Sequence, residues 1–181
     1  MAIYTKRGDK GETSLFDKDS VQNIRISKDS LRIRAIGAID EANSSLGVVV
    51  SFSSDKRLNK KITRIQTELF TIGSILAGAK LRFSKTRTRV LERYIDELEG
   101  NLPILRNFVL PGGNPVAAHL QLSRTYVRKA EREMAALLNT EPIKPQILTY
   151  INRLSDFLFM LARKANHDAG IKELVWVGRK K

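Results

Sequence analysis

Leu58, Ile62, Ile65, Leu69, Ile72 and Leu76 recur in alternating steps of four and three, a spacing that puts all of them on one stripe of an α-helix. A strand with the same residues would scatter them over both faces. Such a stripe is the seam of a helical bundle, and the pattern returns along the chain. Ser27, Lys28, Asp29 and Ser30 offer N-caps for a helix running through Ile36, Ile39, Leu46 and Val49. Ser84 to Thr88 can cap a further helix whose Leu91, Tyr94, Ile95 and Leu98 share a face and whose stop is Gly100. Asn114 followed by Pro115 is an N-cap with proline at the first helical position, opening a helix expected to reach Leu138. Pro145 opens another in the same way, with the stripe Ile147, Ile151, Leu154, Leu158, Leu161 and Ala165, and Gly170 just beyond its end. The expected fold is therefore all-α, a five-helix up-and-down bundle in the ferritin-like style, with short extended segments at Ala2 to Thr5 and Leu174 to Val177. Lys80 to Arg89 reads as a mobile basic link.

The chain of 181 residues fits one domain with a sizeable core. Its 32 basic and 19 acidic side chains leave a formal charge of +13, which suits an anionic ligand and nucleic acid equally. There is no cysteine, so disulfides, thiolate metal sites and cysteine nucleophiles are excluded. The two histidines, His119 and His167, have no partner at metal-ligand spacing and are expected to be surface or packing residues. No apolar run fits a signal peptide or a membrane span, so a cytoplasmic protein without a membrane partner is expected.

The charge is organised. Arg124, Arg128, Glu131 and Arg132 fall within an arc of roughly 100° of one helix, beside an apolar stripe of Leu120, Val127, Ala130, Met134 and Leu137. A solvated charged face has this spacing, and so does a clamp for a polyanion. A second helix carries Asn152, Arg153 and Asp156 near one turn's spacing, and the N-terminus joins Lys6, Gly8, Asp9, Lys10, Gly11, Thr13 and Ser14. Glycines that free backbone N–H groups, together with lysines and hydroxyls, are the parts of a phosphate cradle. It is not a P-loop, since no Gly-x-x-x-x-Gly-Lys-Ser/Thr occurs. Leu110 to Pro115, with two glycines, is a second special turn, either a plain link or a close approach to a ligand. Phe108 before it is core or the wall of a pocket. Asp40 and Glu41 border the apolar face of the first helix, so at least one of them needs a cationic partner.

In sequence order these pieces are Thr5-Lys6-x-Gly8-Asp9-Lys10-Gly11-x-Thr13-Ser14-Leu15, Lys28-Asp29, Asp40-Glu41-x-Asn43-Ser44, Phe108-x-Leu110-Pro111-Gly112-Gly113, Arg124-x-x-x-Arg128-x-Ala130-Glu131-Arg132 and Asn152-Arg153-Leu154-Ser155-Asp156. On these blocks the whole chain resembles the PduO-type ATP:cob(I)alamin adenosyltransferases. The resemblance implies transfer of the 5′-deoxyadenosyl group of ATP to cob(I)alamin, with triphosphate leaving, in a homotrimer whose sites lie between subunits. It divides the chain into an N-terminal ATP loop (1–28), a helical bundle (29–170) and a C-terminal tail (171–181).

Carried over by position, Thr5, Lys6, Arg7, Gly8, Thr13, Ser14, Lys28, Arg128, Lys129, Glu131, Arg132 and Asn152 match the nucleotide site, with Glu131 toward Mg²⁺. Asp40 and Arg124 match an ion pair between subunits, and Asp156 lies in the same catalytic set. Phe108 matches an aromatic residue that keeps the lower axial ligand from cobalt. The implied partners are ATP, Mg²⁺, a corrinoid, a reductase and a cobalamin-dependent acceptor enzyme. The chain departs from the family pattern at Arg7, at Glu12 and across 16–27, where the usual glycine turn is missing. The rival expectation is a basic helical protein that binds nucleic acid. Single-strand binders present aromatics for stacking, whereas most Phe and Tyr here fall at helical core spacings, and no named nucleic-acid module occurs.

Overall fold

The computed structural model describes Tyr4, residues 6–15 and residues 24–177. Thr5, and with it most of the expected extended start, falls outside the described residues. Five helices are found where the apolar stripes lie: α1 (Leu31–Phe52), α2 (Lys56–Leu76), α3 (Thr86–Asn101), α4 (Pro115–Leu138) and α5 (Pro145–Asp168). Their starts follow local chemistry. Ser30 Oγ accepts the Ile33 N–H, Asp55 accepts from Arg57 and Leu58, and Asn114 Oδ1 accepts from Ala117 just ahead of Pro115, which satisfies N–H groups the helices cannot. Gly170 closes α5 at φ +66°, a conformation glycine adopts without strain.

The stripes become the core. Ile62, Ile65, Leu69, Ile72 and Leu76 of α2 share one buried cluster with Leu46 and Val49 of α1, Leu120, Val127, Ala130, Met134 and Leu137 of α4 and Ile147, Ile151, Leu154, Leu158 and Leu161 of α5. Each large side chain there contributes about 1.5–3 kcal/mol relative to exposure.

Helix directions follow from paired contacts. Arg34 meets Glu133, Glu41 meets Lys129 and Phe52 stacks on His119, so rising numbers on α1 meet falling numbers on α4 and the two run antiparallel. Glu92 meets Arg153 and Tyr94 stacks on Phe157, so α3 and α5 run parallel. Gln66 of α2 donates to the Asn43 carbonyl of α1 while Gly73 lies against Ile39, and Asn114 meets Ala165 while Glu131 meets Asn152, so α1/α2 and α4/α5 are antiparallel as well. Directions therefore alternate along the chain, as expected for an up-and-down bundle. Neighbours in space are not always neighbours in sequence, however. α1 packs on both α2 and α4, while α3 packs on α5. The segment 102–114 must therefore cross the end of the bundle to reach α4.

The structure departs from the sequence expectations in two places. A two-stranded antiparallel hairpin, β1 (Glu12–Ser14) with β2 (Arg25–Ser27), adds to the helices. The Lys80 to Arg89 link is tied down: Phe83 is buried, Lys144 donates to the Leu81 carbonyl at 2.8 Å and Gln146 to that of Phe83 at 3.3 Å. The apolar Phe83, edge-on to Tyr150 at 5.1 Å, anchors a segment whose charges suggested solvent. The cationic partner expected beside Asp40 and Glu41 is found, since Lys129 stands 2.7 Å from Glu41, with both carboxylates exposed. At the other end, the extended C-terminal segment is found as expected: Leu110 N–H donates to Leu174 O and Trp176 N–H to Phe108 O, both at 2.8 Å.

Candidate active site

The N-terminal loop is built by turns and stitched by cations. Lys6 takes φ +59° and Gly11 φ +78°, which folds residues 6–11 back on themselves. Lys28 Nζ donates to the Gly8 carbonyl at 2.9 Å, and a Cβ on Gly8 would stand 3.3 Å from that ammonium. Lys28 N–H also donates to Gly11 O at 2.8 Å. Arg25, which the sequence patterns passed over, donates to Arg7 O at 2.6 Å and reaches Glu12 and Ser14 Oγ at 3.3 Å. Glu12 is thus matched inside the loop. Arg7 is exposed and contributes its carbonyl to the fold of the loop.

This loop borders a groove of about 590 Å³ between α1 and α2, lined among others by Thr13, Ser14, Lys28, Asp40, Asn43 and Phe70. Asn43 Oδ1 is buried there without a hydrogen-bond partner. A buried acceptor left open is costly, so the groove has room for a donor.

The arginine arc of α4 opens on a different face. A cleft of about 940 Å³ between α3, α4 and α5 is lined by Arg124, Arg128, Arg153, Asp156, Glu92 and Phe159, among others. Burial, and after it the neighbouring Arg128, lowers the pKa of the Arg124 guanidinium from its ordinary value. Arg124 Nε is held by Gln121 Oε1 at 2.8 Å. Among the described residues neither Arg124 nor Arg128 forms an ion pair, whereas Arg153 is bound by Asp156 at 2.8 Å and Glu92 at 3.4 Å. Two adjacent guanidiniums without an ion-pair partner repel each other, and an anion relieves that repulsion in a cleft that Glu92, Asp96, Glu99 and Asp156 also line.

The remaining candidates form a polar seam. Asn152 Nδ2 donates to Glu131 Oε1 at 2.8 Å, linking α5 to α4. Lys129 is bound by Glu41, and Arg132 Nη1 caps the Arg128 carbonyl at 3.1 Å. Phe108 is 79% exposed, which excludes the core alternative. Among the described residues no ion pair joins Asp40 to Arg124 within the chain; Asp40 lines the α1/α2 groove and Arg124 the other cleft. The structure thus gathers Lys6, Arg7, Gly8, Thr13, Ser14, Lys28 and Asp40 in one region, and Arg124, Arg128 and Asp156 in another.

His119 and His167 take no part in either cleft. His119 stacks on Phe52 at 4.7 Å, and no group of three or more potential metal ligands occurs among the described residues. No helix among them is long and apolar enough to cross a membrane.

The chain matches known proteins over most of its length. The family model for cobalamin adenosyltransferase matches residues 3–165. The chain is 38% identical over 182 residues to a corrinoid adenosyltransferase of Bacillus subtilis, covering 96% of this chain and 91% of the relative. It is also 38% identical over 180 residues to a corrinoid adenosyltransferase of Mycobacterium tuberculosis, with 93% and 91% covered. A solved phenylalanine-to-alanine variant of the PduO-type ATP:corrinoid adenosyltransferase from Lactobacillus reuteri, complexed with cobalamin and ATP, superposes with a TM-score of 0.91 at 33% identity, over 98% of this chain and 100% of that one. None of these relatives supports the nucleic-acid alternative. With these matches over most of its length and a bundle that superposes on a solved relative, the chain belongs to the cobalamin adenosyltransferase family, of the PduO type.

Proposed function

We propose that this chain is a corrinoid adenosyltransferase that transfers the 5′-deoxyadenosyl group of ATP to cob(I)alamin, forming adenosylcobalamin and releasing triphosphate. The observation that carries the reading is the pair Arg124 and Arg128, adjacent in a cleft with no carboxylate partner among the described residues. The lone pair of Co(I) attacks C5′, the C5′–O bond breaks, and its electrons leave on triphosphate. No protein nucleophile or general base is needed. The protein's work is orientation and charge, and fixed cations near the leaving oxygens stabilise the transition state more than the ground state.

The two clefts are the halves of one site completed between copies of the chain. The loop with Lys6, Gly8, Thr13, Ser14 and Lys28 of one subunit meets Arg128, Lys129, Glu131, Arg132 and Asn152 of the next, and Asp40 pairs with the neighbouring Arg124 in a homotrimer. Support comes from the separation of the two regions on different faces and from the lack of an Asp40–Arg124 pair within the chain. Thr5 and Asp156 belong to the same set. Mg²⁺ arrives on the triphosphate: such ions keep several waters and use one or two carboxylates, which fits Glu131, oriented by Asn152. Phe108, exposed in the chain, stands below the corrin and keeps the lower ligand off cobalt, which eases reduction of Co(II). The same reading carries a cytoplasmic location, a reductase that supplies the electron and a cobalamin-dependent enzyme that takes the product.

The test is loss of the cob(I)alamin absorbance under strong reductant with and without ATP. ATP-dependent loss with stoichiometric adenosylcobalamin is expected; no ATP dependence would refute the reading. Stabilisation by Mg-ATP but not by short DNA at physiological salt separates it from nucleic-acid binding.

A further inference from the structure

Two buried polar side chains near the end of α5 reach the segment that carries Phe108. Asn166, 7% exposed, accepts the Asn114 N–H on Oδ1 at 3.0 Å and donates Nδ2 to the Gly112 carbonyl at 2.9 Å. Asn114 returns a bond to the Ala165 carbonyl at 2.7 Å while its own Oδ1 caps α4. Gly113 lies against this amide at φ +108°, where a Cβ would stand 1.9 Å from Asn166 Oδ1. Any side chain at Gly113 would push the turn away.

Arg163, 5% exposed, holds the other end. Its Nη2 donates to the Pro103 carbonyl at 2.8 Å and its Nε to Glu173 at 3.1 Å. Directly beyond Glu173, an isolated antiparallel bridge joins Val175 to Val109, and Trp176 N–H donates to the Phe108 carbonyl at 2.8 Å. The backbone on both sides of Phe108 is therefore fixed from α5, while its ring is open to solvent. A ring that no neighbour packs is aimed by its backbone, and an aim that matters needs supporting hydrogen bonds behind it.

We propose that Asn166 and Arg163 are positioning residues for the corrinoid step. They hold the two ends of the 102–114 crossover, and through Glu173 the C-terminal segment bridged to it, so that the Phe108 ring stands at a set height under its substrate. The inference rests on the role given to Phe108 above and extends it to the side chains behind the crossover, Asn166 away from the arginine cleft and Arg163 at its border. Loosening this support moves the ring without touching the phosphate contacts, so the corrinoid half-reaction suffers and the nucleotide half does not.

The experiment uses the full chain with Asn166→Ala and Glu173→Gln, and Tyr150→Phe as a core variant remote from the crossover. Three quantities are read: the four-coordinate cob(II)alamin signal on the ATP-bound protein, turnover from cob(II)alamin, and KM for ATP. Asn166→Ala should weaken the four-coordinate signal and slow turnover from cob(II)alamin by about 10- to 100-fold, the scale of a misplacement near 1 Å, with KM for ATP within about twofold of wild type. Glu173→Gln should move the same quantities in the same direction to a smaller extent, and it decides alone if Asn166→Ala does not fold. Tyr150→Phe should keep the wild-type signal. Undiminished four-coordinate signal in both crossover variants overturns the proposal, as does a rise in KM for ATP that matches the loss of turnover. A wild-type protein that forms no four-coordinate species overturns the role of Phe108 and this proposal with it.

Discussion

The Tyr150 hydroxyl donates to Glu68 Oε2 at 2.6 Å across the bundle, joining α5 to α2, and Arg64 reaches the other oxygen of the same carboxylate at 3.2 Å. Burial first, and then the charge and hydrogen bond of Glu68, raise the Tyr150 pKa well above its ordinary value. The unfolded phenol ionises near pH 10, so the stabilisation is complete below that pH and fades above it, as the unfolded state releases a proton the folded state retains. Tyr150→Phe should cost about 1–3 kcal/mol at pH 7, because a buried carboxylate loses a donor. The gap to wild type should narrow above about pH 10. Urea unfolding of both proteins at pH 7 and above 10 checks this; a gap constant across that range assigns the effect to packing.

Arg128→Ala should lower turnover by about 100-fold or more at saturating ATP, the scale of losing one fixed charge donor to a transition state. Arg128 is exposed, so the thermal midpoint should hold. Steady-state kinetics decide: near-normal turnover removes Arg128 from the mechanism.

Asp40→Ala and Arg124→Ala should each be costly in the assembled protein, and the double variant far less than additive, because each single change leaves one charge without its partner. Light scattering should report a trimer. A monomer at micromolar concentration, or additive losses around the cycle, contradicts the intersubunit pair.

Phe108→Ala should leave stability nearly unchanged, since the ring is not in the core. Affinity for ATP should stay within about a factor of three, on the scale of a contact that the nucleotide does not make. Activity starting from cob(II)alamin should fall sharply, and preformed cob(I)alamin should recover part of it. Loss of ATP affinity in parallel would place the ring against the nucleotide instead.

The helices were legible because burial imposes a period: the α2, α4 and α5 stripes named in sequence are the residues that fill the core. The caps at Ser30 and Asn114 were legible because their chemistry is local. Other features depend on partners distant in sequence. Arg25 gains its meaning from Arg7, Glu12 and Ser14, met only once the hairpin forms. Arg163 sits on a helix whose stripe is read from its apolar members, and its burial follows from Pro103 and Glu173. The basic residues of 80–89 outweighed the single Phe83 that fixes the segment. In the candidate site, Arg124 and Arg128 could be grouped from spacing alone, but their separation from the Thr13, Ser14 and Lys28 groove is set by which helices pack together.

The placement of the loop and the arginines on different faces has a genetic consequence. If each site takes one half from each of two neighbours around a closed ring, a protein defective only in its loop and one defective only in its arginines are both inactive alone, yet mixed rings regain some intact sites. With equal amounts of Lys28→Ala and Arg128→Ala chains assembled at random, about a quarter of the interfaces would join two undamaged halves, by the head-to-tail geometry of such a ring. Co-expressed pairs of this kind should complement, and two arginine variants should not.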